Sequence, residues 1–268
     1  MRLPIKAGAV FHLLREMRER HDLPIMVGGL LAEQLAHELS AGGDPSAVLI
    51  GTDPHGVEAF VYVIGDTVTE EDERVLKGAH RARVPTIVVA AGRKVPWRVP
   101  FVLATDVVRV EPGHGFSVDD VAAALARKIG DEAASVARRL PALRPAVSAR
   151  LIKRVSRRNG LIGAAVWVPG VDMPVLTLNQ IRLVIRLATM HGLELDNRRA
   201  PELIATVGAG FGFRVIAREL LNLIPGLGWA VKGAVAYSGT RAIGEATLRY
   251  SEAKATPQQP ASASASSS

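Results

Sequence analysis

The 268-residue chain contains no cysteine, which excludes disulfides, thiolate nucleophiles and sulfur-ligated metal sites. Aromatic residues make up only 4%. None lies among the clustered cations described below, so the base-stacking platform of a single-strand nucleic-acid binder is missing and a nucleic-acid partner is not expected. Long apolar runs are scarce too. Residues 203–213 and 220–231 are charge-free over eleven and twelve positions, against about 20 needed to cross a bilayer core. The first 22 residues carry charges every few positions and lack the apolar centre of a secretory signal. A cytoplasmic-side location is expected, with membrane association open.

Chemical motifs are equally sparse. The histidines (His12, His21, His37, His55, His80, His114 and His191) show no metal-ligand spacing, and no G-x-S-x-G nucleophile elbow occurs. A phosphate loop needs backbone amides, a lysine and a hydroxyl in the pattern G-x-x-x-x-G-K-[ST]. Here Gly28-Gly29 runs into Leu30-Leu31-Ala32-Glu33-Gln34, and the glycine pair reads as a turn. The run Gly208-Ala209-Gly210-Phe211-Gly212 lies in a helical pattern with no strand before it, so close helix packing explains it better than a dinucleotide loop. No catalytic residue, metal or cofactor is assigned.

What the chain does have is one concentrated charge. Its net charge is +7, and between Arg138 and Arg158 stand eight basic residues and no acidic one; the basicity is a local feature. Arg150, Lys153, Arg154, Arg157 and Arg158 recur at offsets that a helix gathers onto one face, with Val147, Leu151 and Val155 on another. Such a helix can hold its apolar side against protein or lipid and show five cations to an anionic surface. These five are the candidate site; a solvated linker face is the plainer alternative.

Before that cluster the pattern is α/β. Residues 1–22 read as a leading amphipathic helix. Strands are expected at 23–28, 47–50, 59–64, 86–90, 101–104 and 107–110, with helices at 30–39, about 70–83 and 118–129. Thr69 and Ser117 serve as N-caps ahead of acidic first turns. Strands alternating with helices at this spacing imply a mainly parallel sheet.

After residue 160 the chain turns more apolar. Asp172 and Pro174 suggest a turn, with a helix from about Thr177 that aligns Ile181, Val184, Ile185 and Ala188 and leaves Arg182 and Arg186 off the stripe. Asp172 reads as a cap for that helix or a partner for Arg182 or Arg214. Small residues at four-residue steps, among them Ala230, Ala234, Ser238, Ala242 and Ala246, let helix backbones approach closely. The Ala/Ser/Pro/Gln tail from 253 has nothing to bury and is expected to be disordered.

The segments RNGLIGAAVWVPGVDMPVLTLNQIRLVIRLATMHG, RAPELIATVGAGFGFRVIARELLNLIPGLGW and KGAVAYSGTRAIGEA together resemble the GTPase-associated family numbered 697 among the domains of unknown function, related to the YcjF proteins, over about 160–250. That resemblance implies a domain that follows an Era-like GTPase domain and is often linked to membranes. Residues 24–130 are then similar to a worn GTPase domain, with Asp53-Pro54-His55-Gly56 in the place of the D-x-x-G switch motif. Ala90-Ala91-Gly92-Arg93 stands where the guanine-reading motif belongs, so no nucleotide-binding residue carries over. The expected architecture is a leading helix (1–22), a degenerate GTPase-like α/β domain (23–137), a basic linker helix (138–159), an all-α domain (160–252) and the tail. The expected role is a non-catalytic interaction protein docking on a membrane surface or a protein partner. The alternatives are residual nucleotide binding with GTP hydrolysis, and a helical module forming a homo-oligomer.

Overall fold

The computed structural model describes residues 23–94, 98–110, 115–165, 173–193 and 228–255. The leading helix, Asp172, the 203–224 pattern with its glycines, and the tail beyond residue 255 lie outside the described residues.

Five parallel strands form one sheet: β1 (Ile25–Gly29), β2 (Val48–Ile50), β3 (Ala59–Ile64), β4 (Thr86–Ala90) and β5 (Val107–Arg109), in the order β2-β1-β3-β4-β5. Ile25 is in register with both Val48 and Ala59. Residues rich in Val and Ile suit a sheet covered on both faces, and the alternation sorts them. Ile25, Val27, Val61, Val63, Ile87 and Val89 point to one face; Met26, Phe60, Tyr62, Ile64 and Val88 point to the other.

Seven helices complete the described residues: α1 (Ala32–Ser40), α2 (Glu70–Arg81), α3 (Val118–Ile129), α4 (Ala133–Arg139), α5 (Arg144–Ala165), α6 (Met173–Met190) and α7 (Gly228–Ala255). Their starts follow the chemistry. The Thr69 hydroxyl accepts from the Asp72 amide while the Asp72 carboxylate accepts from the Thr69 amide, a reciprocal capping box. Asp72 also accepts from the Tyr62 hydroxyl at 2.9 Å, which ties α2 to the sheet and raises the phenol pKa through burial and the adjacent carboxylate.

The two faces are covered unequally. Val75, Leu76 and Ala79 of α2 cover the second face together with Val57 and Val99. The first face carries α1, α3, α4 and, in the same continuous core, Val147, Leu151 and Ile152 of α5 with Leu183, Leu187 and Met190 of α6. The C-terminal helices thus share the sheet's core. The expected boundary at 159/160 falls inside α5, which runs unbroken through Gly160. The expected linker helix is likewise divided: α4 ends at Arg139, a 3-10 turn occupies Pro141–Leu143, and α5 begins at Arg144 with Pro145 in its first turn, where proline is tolerated.

Three other expectations are corrected. Residues 101–104 form no strand: Phe101 adopts φ 63° and the chain enters a 3-10 turn at Ala104–Asp106. Helix α6 starts at Met173 rather than near Thr177, because Pro174 falls in its first turn and obstructs nothing there. Helix α7 continues through Ala255, past the expected start of the tail.

Close packing of α5 on α7 does use small residues, but on a different face of α7. Gly233, Ala236, Thr240, Gly244, Thr247 and Ser251 are buried, whereas Ala234, Ser238 and Ala246 are exposed. A side chain at Gly233 would place its Cβ 2.9 Å from the Gly160 carbonyl oxygen and 3.0 Å from the Ala164 Cβ, so the two backbones meet with no room between them. Gly233→Val is therefore expected to destabilise the fold by about 1–3 kcal/mol, measured as a lowered urea midpoint; an unchanged midpoint would refute the contact.

Candidate anionic-surface interface

The five cations proposed from spacing do share the outer side of α5. Arg150, Lys153, Arg154, Arg157 and Arg158 are all exposed, while Val147 and Leu151 are buried and Val155 packs against the core. The helix has thus committed its apolar side to protein. A lipid surface would meet its basic side.

The five are not equivalent. Arg150 donates through Nη2 to the Arg127 carbonyl at 3.4 Å, in the last turn of α3. Gly130, which ends α3 with φ 74°, has the Arg154 Nη1 beside it. A cation over a helix C-terminus offsets the partial negative charge of its unpaired carbonyls, so Arg150 and Arg154 also fasten α5 to α3. Burial and its neighbours Arg154 and Arg127 hold the Arg150 pKa below the usual guanidinium value. The cleft between these elements, lined by Ala126, Gly130, Ala134 and Leu151 beside the two arginines, measures about 10 Å³, room for roughly one water. Lys153, Arg157 and Arg158 engage no carboxylate among the described residues.

The alternative site is the crevice at the carboxyl ends of the strands. In open parallel sheets ligands bind where the strand order reverses, here between β1 and β3. Contacts of the chain itself cross that crevice. Gly29 turns with φ 86°, and a Cβ there would lie 2.1 Å from the Val63 carbonyl oxygen. The next amide, Leu30, donates to that same oxygen at 2.9 Å. An amide a phosphate loop would turn toward its ligand is therefore spent on β3. Across the crevice Asp66 Oδ1 accepts from the Arg93 and Lys94 amides at 2.5 and 3.1 Å, closing the loop after β4 onto the loop after β3. Asp53 lies after β2 in the expected D-x-x-G place, exposed and bonded to His55. Among the described residues no group of three or more metal-ligating side chains occurs, and no helix is long and apolar enough to cross a membrane.

Two buried polar groupings escaped the sequence reading. Where α5, α6 and α7 meet, the Asn159 amide nitrogen donates to the Thr240 hydroxyl at 2.9 Å, and the Asn179 amide nitrogen donates to the Asn159 oxygen at 2.8 Å. Gln180 joins at Thr240, 3.2 Å away, and Thr240 in turn donates to the Ala236 carbonyl at 2.8 Å. Buried amides whose partners sit on three helices fix the register among them, since any slip leaves them unpaired. The signal was present: Asn159 continues the buried spacing of Ile152, Ser156 and Gly163. The second grouping is His191, buried at the end of α6, with Nε2 3.5 Å from the buried Ser148 hydroxyl of α5.

Comparison with family models, with curated proteins and with solved structures returned no match.

Two outcomes follow from this geometry. Titration calorimetry with GTP, GDP and ATP in magnesium is expected to show no heat of binding, and a saturable heat would overturn the closed-crevice reading. Burial, and then Arg144, lower the His191 pKa from its ordinary 6.5, while Glu252 opposes them. The unfolded chain thus binds the proton more readily. The stability contributed by neutral His191 is complete above pH 6.5 and declines as the pH falls through the folded-state value. His191→Gln, which cannot protonate, should flatten that part of the stability–pH curve; an unaltered slope would exclude His191 as its source.

Proposed function

We propose that the protein is a non-catalytic docking protein: a GTPase-like α/β layer holding no nucleotide, whose helix α5 meets an anionic membrane surface from the cytoplasmic side. The observation that carries this reading is the division of α5. Its apolar side is consumed by the shared core, while Arg150, Lys153, Arg154, Arg157 and Arg158 face outward together. A cation near an anionic leaflet contributes about 1 kcal/mol, falling off within a Debye length. Several on one face give reversible attachment.

The GTPase-like reading rests on the sequence resemblance together with the parallel order β2-β1-β3-β4-β5, in which Asp53 follows the strand beside β1. Hydrolysis has little support, because the Leu30 amide is bonded to Val63 and the lysine and hydroxyl of a phosphate loop are missing. A homo-oligomer module would rest on the small-residue steps. Among the described residues Gly160, Gly163 and Gly233 serve contacts within the chain.

Flotation with neutral and phosphatidylserine-containing vesicles tests the proposal. The protein should float with anionic vesicles at low salt and be released by high salt. Combining Lys153→Glu, Arg157→Glu and Arg158→Glu, three exposed positions, should abolish flotation while leaving the thermal midpoint nearly unchanged. Equal flotation with both lipids, or with neither, would sink the reading; absence from both together with salt-sensitive capture of an acidic protein would move it to a protein partner.

A further inference from the structure

The most exposed large apolar side chain among the described residues is Leu161, at 72%, and it stands on the basic face itself. It follows Arg150, Arg154, Arg157 and Arg158 by eleven, seven, four and three residues, all spacings that return a helix to nearly the same side. Helically projected, it falls near the middle of the arc spanned by the five cations. Ala165, four residues further and also exposed, keeps to that side. The outer face of α5 therefore changes character along its length: cations over its middle turns, an apolar projection at its C-terminal end.

The orientation of that face is fixed from behind. Gly163 lies against α7 so closely that a Cβ there would approach the Ala236 Cβ to 2.9 Å, and Asn159 is held by Thr240 and Asn179. The turn carrying Leu161 cannot roll inward to hide it. A lone exposed leucine is ordinary on a solvated surface; what sets Leu161 apart is that it stands within the arc of the five cations, where a lipid interface would receive both. Charge complementarity selects an anionic headgroup layer for the cations, and the depth beneath it is where an aliphatic side chain gains by leaving water.

Building on the docking proposal above, we propose that Leu161 is the insertion residue of an anionic lipid interface. Helix α5 lies with its C-terminal end tipped toward the acyl region, and Lys153, Arg157 and Arg158 stay at headgroup level. The cations select and attract the surface; Leu161 sets how long the protein stays. Salt dependence then belongs to the former and salt-resistant affinity to the latter.

The absence of native cysteine permits a direct test with the full chain. Leu161→Cys carrying a polarity-sensitive fluorophore should shift to the blue and brighten on phosphatidylcholine/phosphatidylserine vesicles. The same fluorophore on Lys77→Cys, exposed on α2 across the sheet, should stay at its aqueous wavelength. Separately, Leu161→Ala should weaken vesicle affinity about ten-fold, the scale of removing most of an aliphatic side chain from an apolar setting, with the salt dependence unchanged. A protein that binds vesicles while position 161 stays in water, or that binds equally well as Leu161→Ala, overturns the insertion and leaves the electrostatic docking standing. A wild-type chain that binds no anionic vesicle overturns both.

Discussion

The contact between α5 and α7 leaves no space for side chains at its tightest points, and the rest of the helical part is arranged around that fact. Gly233 faces the Gly160 carbonyl, Gly163 faces Ala236, and Gly244 faces Ile152. Two helices brought this close exclude water along their length, so a polar group trapped between them needs a partner within the protein. Asn159, Thr240 and Asn179 supply that partnership, whereas the buried Ser156 and Ser251 hydroxyls find no hydrogen-bond partner among the described residues. With α7 on one side and the sheet core on another, α5 keeps a single solvent-facing side, and the sequence has placed its cations there.

How much of this was legible depended on whether a pattern was local. Strands β3 and β4 and helix α3 were readable residue for residue, because β-branched runs and a Ser117 cap speak through near neighbours. The split of α5 into basic and apolar sides was readable for the same reason. Residues 101–104 misled: Phe-Val-Leu-Ala has strand composition, but Phe101 takes a left-handed turn, and Asp106 beyond it is buried against Lys128 at 2.5 Å. That ion pair joins positions 22 apart in the chain, beyond the reach of any local window.

The helical part was harder for a related reason. Alanine and glycine both qualify as small, and periodicity alone does not say which stripe will face a neighbour. On α7 the stripe with glycine and buried hydroxyls won over the alanine stripe, since only a glycine lets the Gly160 carbonyl come so near. Gly160, read as a boundary, turned out to be the middle of a contact. The polar junction of Asn159 with Asn179 and Thr240 required knowing which three helices meet. Val147 and Leu151, expected in a linker helix, and Leu183 and Leu187, expected in a separate helical domain, bury themselves in the sheet's own core.

The turn from β1 into α1 bears on how such a fold could change its occupation. Since the Leu30 amide is bonded to Val63 and Leu31 follows in a left-handed conformation, the obstacle to holding a phosphate lies in the main chain as well as in missing side chains. Grafting a lysine and a hydroxyl onto this segment would leave the amide pointing the wrong way. Recovering an anion cradle would demand a rebuilt loop of different length or path, a larger step for mutation than exchanging residues one at a time.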